Sequence, residues 1–177
     1  MNNNNQDNNN QQISYSPCNT TINFIIALGF IIVLVVLATN INKTAAITFI
    51  VVLIAIGGQG MFMFIKSFLL FVSGKPAIVL TKDYFIDNSA GVKIGWSDIN
   101  NITSYNFNGR TFLAFDLIDN SIIYKQLLNP IQNGFLRINA ALSKKSFMTN
   151  LSFLKGKNGD IFEKVNNFYQ ALLKDEI

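Results

Sequence analysis

The chain has 177 residues, half of them apolar and 14% charged, with a formal net charge of +4. Soluble proteins carry about 25% charged residues; the deficit is local, since Asp7, Lys43 and Lys66 are the charged side chains between Met1 and Gly74. From Pro76 onward 11 basic and 9 acidic residues nearly cancel, which excludes a basic nucleic-acid stripe; one cysteine, Cys18, excludes an intrachain disulfide, and the absence of histidine removes the commonest general base and metal ligand.

Residues 1–21 open with an Asn/Gln tract, MNNNNQDNNNQQ, which has too little apolar surface to offset the entropy of ordering. They are expected to form a disordered tail. Residues 22–39 follow as an uncharged apolar run of 18 residues. That is too long for a strand and long enough for a first membrane span. No Lys or Arg precedes it and no clean cleavage site follows, so a secretory signal is the weaker reading. Cys18 lies just before this run, where a lipidated thiol and an inert one are both compatible with the sequence.

A second apolar stretch, residues 44–66, reads as a second span that continues apolar to residue 73. The short connection between the two makes them an antiparallel hairpin. Lys66 and Lys75 fall at the membrane interface, where a lysine stem lies along lipid and its ammonium reaches the headgroups. Lys66, Lys75 and Lys82 on one side outnumber Lys43 on the other. The positive-inside rule then puts both termini in the cytoplasm, at a bacterial inner membrane or another membrane. Gly57, Gly58, Gln59 and Gly60 lie inside the second span. Small residues and one amide suit close helix packing or homo-oligomer contact; a pore is the functional alternative.

Residues 76–177 read as a domain rich in short strands. Pro76 suits a strand start. AIVLT, YFID and VKIGW follow, the last with Val92, Ile94 and Trp96 alternating against Lys93 and Gly95. Asn108-Gly109 marks a two-residue hairpin between INNITSYNF and RTFLAFDLI. SIIYK reads as a further strand, and residues 147–154 as a last one. Between them, Asn129-Pro130 signals a helix start, with Ile131, Phe135, Ile138 and Leu142 at helical spacing. At the end of the chain Ile161, Val165, Phe168 and Leu172 form an apolar stripe, with Asp160 and Glu163 as a capping-box-like pair. The expected fold is a membrane α-helical hairpin plus an α+β domain: an antiparallel curved sheet or small barrel closed by an amphipathic helix.

The segments KPAIVL, IDNS and IGWSDI, at Lys75 to Leu80, Ile86 to Ser89 and Ile94 to Ile99, resemble a family of small uncharacterised bacterial proteins. Those carry two membrane spans followed by a pleckstrin-homology-like (PH-like) domain. The resemblance implies that fold and topology and no reaction. Phosphoinositide binding is disfavoured, because Lys82 beside Asp83, with Lys93 further on, does not cluster enough charge for several phosphates. Trp96 reads as a core or rim aromatic and Asp98 as a turn cap. Asp116 and Asp119 lack a third converging group. The sequence therefore names no catalytic, cofactor-binding or metal residues. It points to a membrane-tethered module contacting protein or lipid, with a hairpin-built homo-oligomer or pore as the alternative.

Overall fold

The computed structural model describes residues 10–40, 63–107, 109–126 and 130–175. Most of the second apolar stretch, including Gly57, Gly58, Gln59 and Gly60, lies outside the described residues. The fold is α+β, with an N-terminal helix and two antiparallel sheets that do not close into a barrel.

Strand β1, Asn10–Ile13, falls within the stretch expected to be disordered. It pairs antiparallel with β2, Ile78–Thr81, in a register that sets Ile13 opposite Ile78. Tyr15 then bridges to Leu154, and helix α1 begins at Pro17. Proline suits that first helical position, because its missing N–H would have no partner there. Helix α1, Pro17–Asn40, starts five residues earlier than the apolar run and measures about 36 Å at 1.5 Å per residue. Residues 17–39 form the one helix among the described residues that is long and apolar enough to cross a membrane. Ile25, Ile32 and Val35 on it are exposed.

Helix α2 is described from Met63 to Val72. Lys66 does not break it, and one face of its last turns is covered: Ser67 is buried, while Leu70 and Phe71 pack against the domain core. Residues 67–72 thus extend the helix and dock it on the sheets. Strands β3, Tyr84–Asp87, and β4, Val92–Gly95, complete a sheet of order β1-β2-β3-β4. A 3-10 turn at Trp96–Asp98 leads to β5, Ile99–Phe107. Gly95 allows that turn, since a Cβ there would meet Asp98 Oδ2 at 2.7 Å.

The second sheet is β5, β6 (Arg110–Leu117) and β7 (Phe147–Asn150). Gly109 has φ +72°, as expected of the Asn-Gly hairpin that pairs Phe107 with Arg110. SIIYK is not a strand but lies in helix α3, Ser121–Gln126. Asp119 reverses its β-rich composition: its carboxylate accepts from Ser121 N at 2.8 Å and Ser121 Oγ at 2.6 Å, organising the helix start. Gln126 then hydrogen-bonds Lys93 N at 2.8 Å and Lys93 O at 2.6 Å, covering the free edge of β4. Helix α4 spans Pro130–Ser143, although Ile138 on its apolar stripe is exposed. Only the first half of the expected last strand is β7; a 3-10 turn at Leu151–Phe153 follows.

The core lies between the two sheets, where Ile78, Leu80, Phe85, Ile94, Leu113 and Phe115 are fully buried. Helix α5, Asn158–Asp175, closes it with Ile161, Val165 and Tyr169. Asp160 sits in its first turn rather than at the cap, which favours the helix dipole instead. Trp96 is a core aromatic: it packs on Phe168 and Tyr169, and its Nε1 donates to the Thr81 carbonyl at 2.8 Å. The domain is therefore discontinuous. Its first strand precedes α1, and residues 17–76 are inserted between β1 and β2.

Candidate functional site

The region where α1 and α2 meet the sheets concentrates the buried polar groups. Alternation along β3 turns Phe85 and Asp87 inward together, so a carboxylate at the strand end enters the core. Asp87 is 2% exposed. Its Oδ1 accepts from Ser89 Oγ at 2.6 Å and Ala90 N at 2.9 Å. Its Oδ2 accepts from Thr149 Oγ1 at 2.7 Å. The first two bonds hold the turn after β3, and the third ties that turn to β7 in the other sheet. A buried charge costs free energy unless donors surround it, and these three supply that compensation.

Two further groups, one just before the inserted segment and one within it, face this carboxylate. Tyr15, between β1 and α1, is buried, and its hydroxyl lies near those of Ser67 and Ser89 but closes no hydrogen bond of full geometry among the described residues. Burial, and secondarily the charge of Asp87, push its pKa well above the usual tyrosine range; the neighbouring Ser67 and Ser89 hydroxyls, as hydrogen-bonding groups, lower it. Lys66 on α2 lies in the field of Asp87 without closing to an ion pair. Its Nζ lies over Gly91, which has φ +72°, and a Cβ built there would be 3.4 Å away. Lys66 is thus half-buried against the β3–β4 turn. Lys75, just after α2, is exposed. Lys82 lies in the β2–β3 turn, about 13 Å of strand away from the α2 end of β2, so it leaves the flanking set.

Apolar and polar contacts pin the same junction. Phe24 of α1 stacks on Phe68 of α2 with centroids 3.9 Å apart. Phe64 meets Phe153 edge-on at 5.6 Å, and Asn19 Nδ2 donates to the Ser152 carbonyl at 2.7 Å. Cys18 is exposed at the start of α1.

The aspartates considered in the sequence do not converge. Asp116 pairs with Lys145 at 2.9 Å. Asp119 holds α3, and the Ser121 hydroxyl keeps its carboxyl below the usual range. Asp98 works through its backbone, its carbonyl accepting from Ile118 N at 3.0 Å. Lys93 sits 3.5 Å above the Tyr84 ring rather than beside Lys82. Among the described residues no His, Cys, Asp or Glu group could hold a metal ion. A separate open groove of about 290 Å³ runs between β1 and α5, flanked by Lys155, Asp160 and Lys164, and Lys164 Nζ donates to the Gln12 carbonyl at 3.4 Å. Sequence reading missed Asp87, Tyr15 and Thr149. The signal available was Asp87 two residues after Phe85, on the same strand face. Comparison with protein-family models, with curated proteins and with solved structures finds no match.

Proposed function

We propose that this chain is a membrane-tethered, non-enzymatic binding module: a PH-like domain held at the cytoplasmic face by a two-span helical hairpin inserted between its first two strands. The carrying observation is that β1, before α1, pairs with β2, after α2. If α1 crosses the bilayer, the chain must cross back before residue 77 to bring β2 alongside β1. The second apolar stretch is the segment available for that return. The same pairing argues against a removable signal sequence, since cleavage after α1 would strip β1 from the sheet. Exposed Ile25, Ile32 and Val35 on α1 suit contact with lipid.

The PH-like reading is supported by four plus three antiparallel strands followed by a helix that buries Ile161, Val165 and Tyr169 on them. In this reading Asp87, Thr149 and Ser89 are structural: they tie the β3–β4 turn to β7 beside the inserted helices, and the domain presents the β1–α5 groove to a partner. Native mass spectrometry of the gently solubilised full-length protein tests this. The uncleaved chain carrying a reproducible protein, lipid or second-copy adduct is expected. A chain shortened by loss of β1 and α1, or a bare monomer under every gentle condition, overturns it.

A further inference from the structure

The β5–β6 hairpin carries exposed aromatic surface that the core does not use. Tyr105 and Phe107 sit two residues apart on one strand face, with rings 6.4 Å apart and 12° from parallel. Phe107 is 56% exposed. Arg110, opposite it across the hairpin, is exposed and forms no ion pair among the described residues.

Chain order and register say where this tip lies. Within the first sheet the β1–β2 connection and the β3–β4 turn share one end, within the second the β5–β6 tip and the end of β7 share one end, and the Thr149–Asp87 hydrogen bond brings β7 beside the β3–β4 turn. Two of these neighbours touch the inserted helices: Lys66 lies over Gly91 in the β3–β4 turn, and Phe153, just past β7, meets Phe64. The last β7 pair is Phe112 with Asn150. Beyond it the β5–β6 ladder continues through Asn106–Thr111 and Phe107–Arg110, a further ~7 Å.

We propose that this tip is a further membrane contact, with Tyr105, Phe107 and Arg110 in the headgroup layer of the bilayer that α1 crosses. The inference rests on the membrane-spanning reading of α1 given above. Aromatic rings with a polar neighbour favour the membrane–water interface, and a guanidinium there binds lipid phosphate in a fork. Anchoring at the helices and again at the tip adds a second point at which the domain is held against the membrane.

The test is spin-label depth measurement on the full-length protein in phosphatidylcholine–phosphatidylglycerol vesicles, in a Cys18→Ser background. Three single-cysteine variants carry the label: Phe107→Cys at the tip, Ile118→Cys at the opposite end of β6, and Ile32→Cys in α1. All three positions are exposed, so the label displaces no core side chain. The expected result is a severalfold rise in oxygen over nickel-chelate collisions at Phe107 relative to Ile118, with Ile32 deeper than both. If Phe107 collides with the nickel chelate as freely as Ile118 while Ile32 is deep, the tip contact is wrong and the spanning reading stands. If Ile32 itself is open to the chelate, both are wrong.

Discussion

Replacing Asp87 with alanine removes the acceptor that Ser89 Oγ, Ala90 N and Thr149 Oγ1 share. Each hydrogen bond to an ionised group nets about 1.5–3 kcal/mol, so three set a ceiling of roughly 5–9 kcal/mol. Two effects subtract from it. The desolvation cost of the carboxylate disappears, and Ser89, in a half-buried turn, regains water. The remaining loss is about 3 kcal/mol, at the lower edge for breaking a buried charged contact. Asp87→Asn keeps the shape and an oxygen for Ser89 and Ala90, and Thr149 can turn its hydroxyl to accept from the amide. It forfeits charge assistance alone, about 1 kcal/mol. Thr149→Val costs about 1.5 kcal/mol in the parent and nothing in the Asp87→Ala background, where the hydroxyl is already orphaned. Urea unfolding in detergent, followed by fluorescence of the single, buried Trp96, reads the parent and all four variants. An Asp87→Ala variant as stable as the parent, or strict additivity with Thr149→Val, refutes the role given to this carboxylate.

Tyr15→Phe removes a buried hydroxyl that closes no hydrogen bond of full geometry with its neighbours Ser67 and Ser89, and is expected to leave stability within about 1 kcal/mol of the parent; a larger loss means the hydroxyl is bonded in the folded protein. Burial raises the pKa of Tyr15 and of Tyr169, so the unfolded chain ionises first. Their contribution is fully present below pH 10.0, the ordinary tyrosine value, and is lost as pH rises beyond it. A pH series of urea midpoints with the double Phe variant as reference should show the alkaline fall weakened in the variant. Phe115→Ala, at a fully buried position between the sheets, should cost about 3–5 kcal/mol and abolish cooperative unfolding if the two sheets share one core.

Much of the domain was legible in the sequence because its signals are local. Val92, Ile94 and Trp96 alternate as half-buried strands do, and all three side chains are buried. Asn108-Gly109 fixes a hairpin by turn chemistry. Ile161 and Val165 recur at helical spacing and face the core. What was missed depends on distant partners. Asn10, Gln11 and Gln12 have no strand propensity of their own; β1 forms because β2 offers an edge and Ile13 finds Ile78 across it. SIIYK carries a strand composition, but the Asp119 carboxylate at its start and the burial of Ile123 select a helix. The Asp87 cluster draws on β3, β7, α2 and the residues before α1, so no window of sequence contains it. Nothing local to Lys66 signals that the fold sets Asp87 within its field.

Cysteine labelling in intact cells tests the two-span hairpin most directly. Cys18, exposed at the start of α1, reports one side; Lys43→Cys and Lys75→Cys, each in a Cys18→Ser background, report the connection between the apolar stretches and the start of the domain. A membrane-impermeant maleimide is expected to reach Lys43→Cys from outside, and Cys18 and Lys75→Cys only after permeabilisation. Labelling of Lys75→Cys from outside while Cys18 stays protected would mean a single crossing and contradict the hairpin.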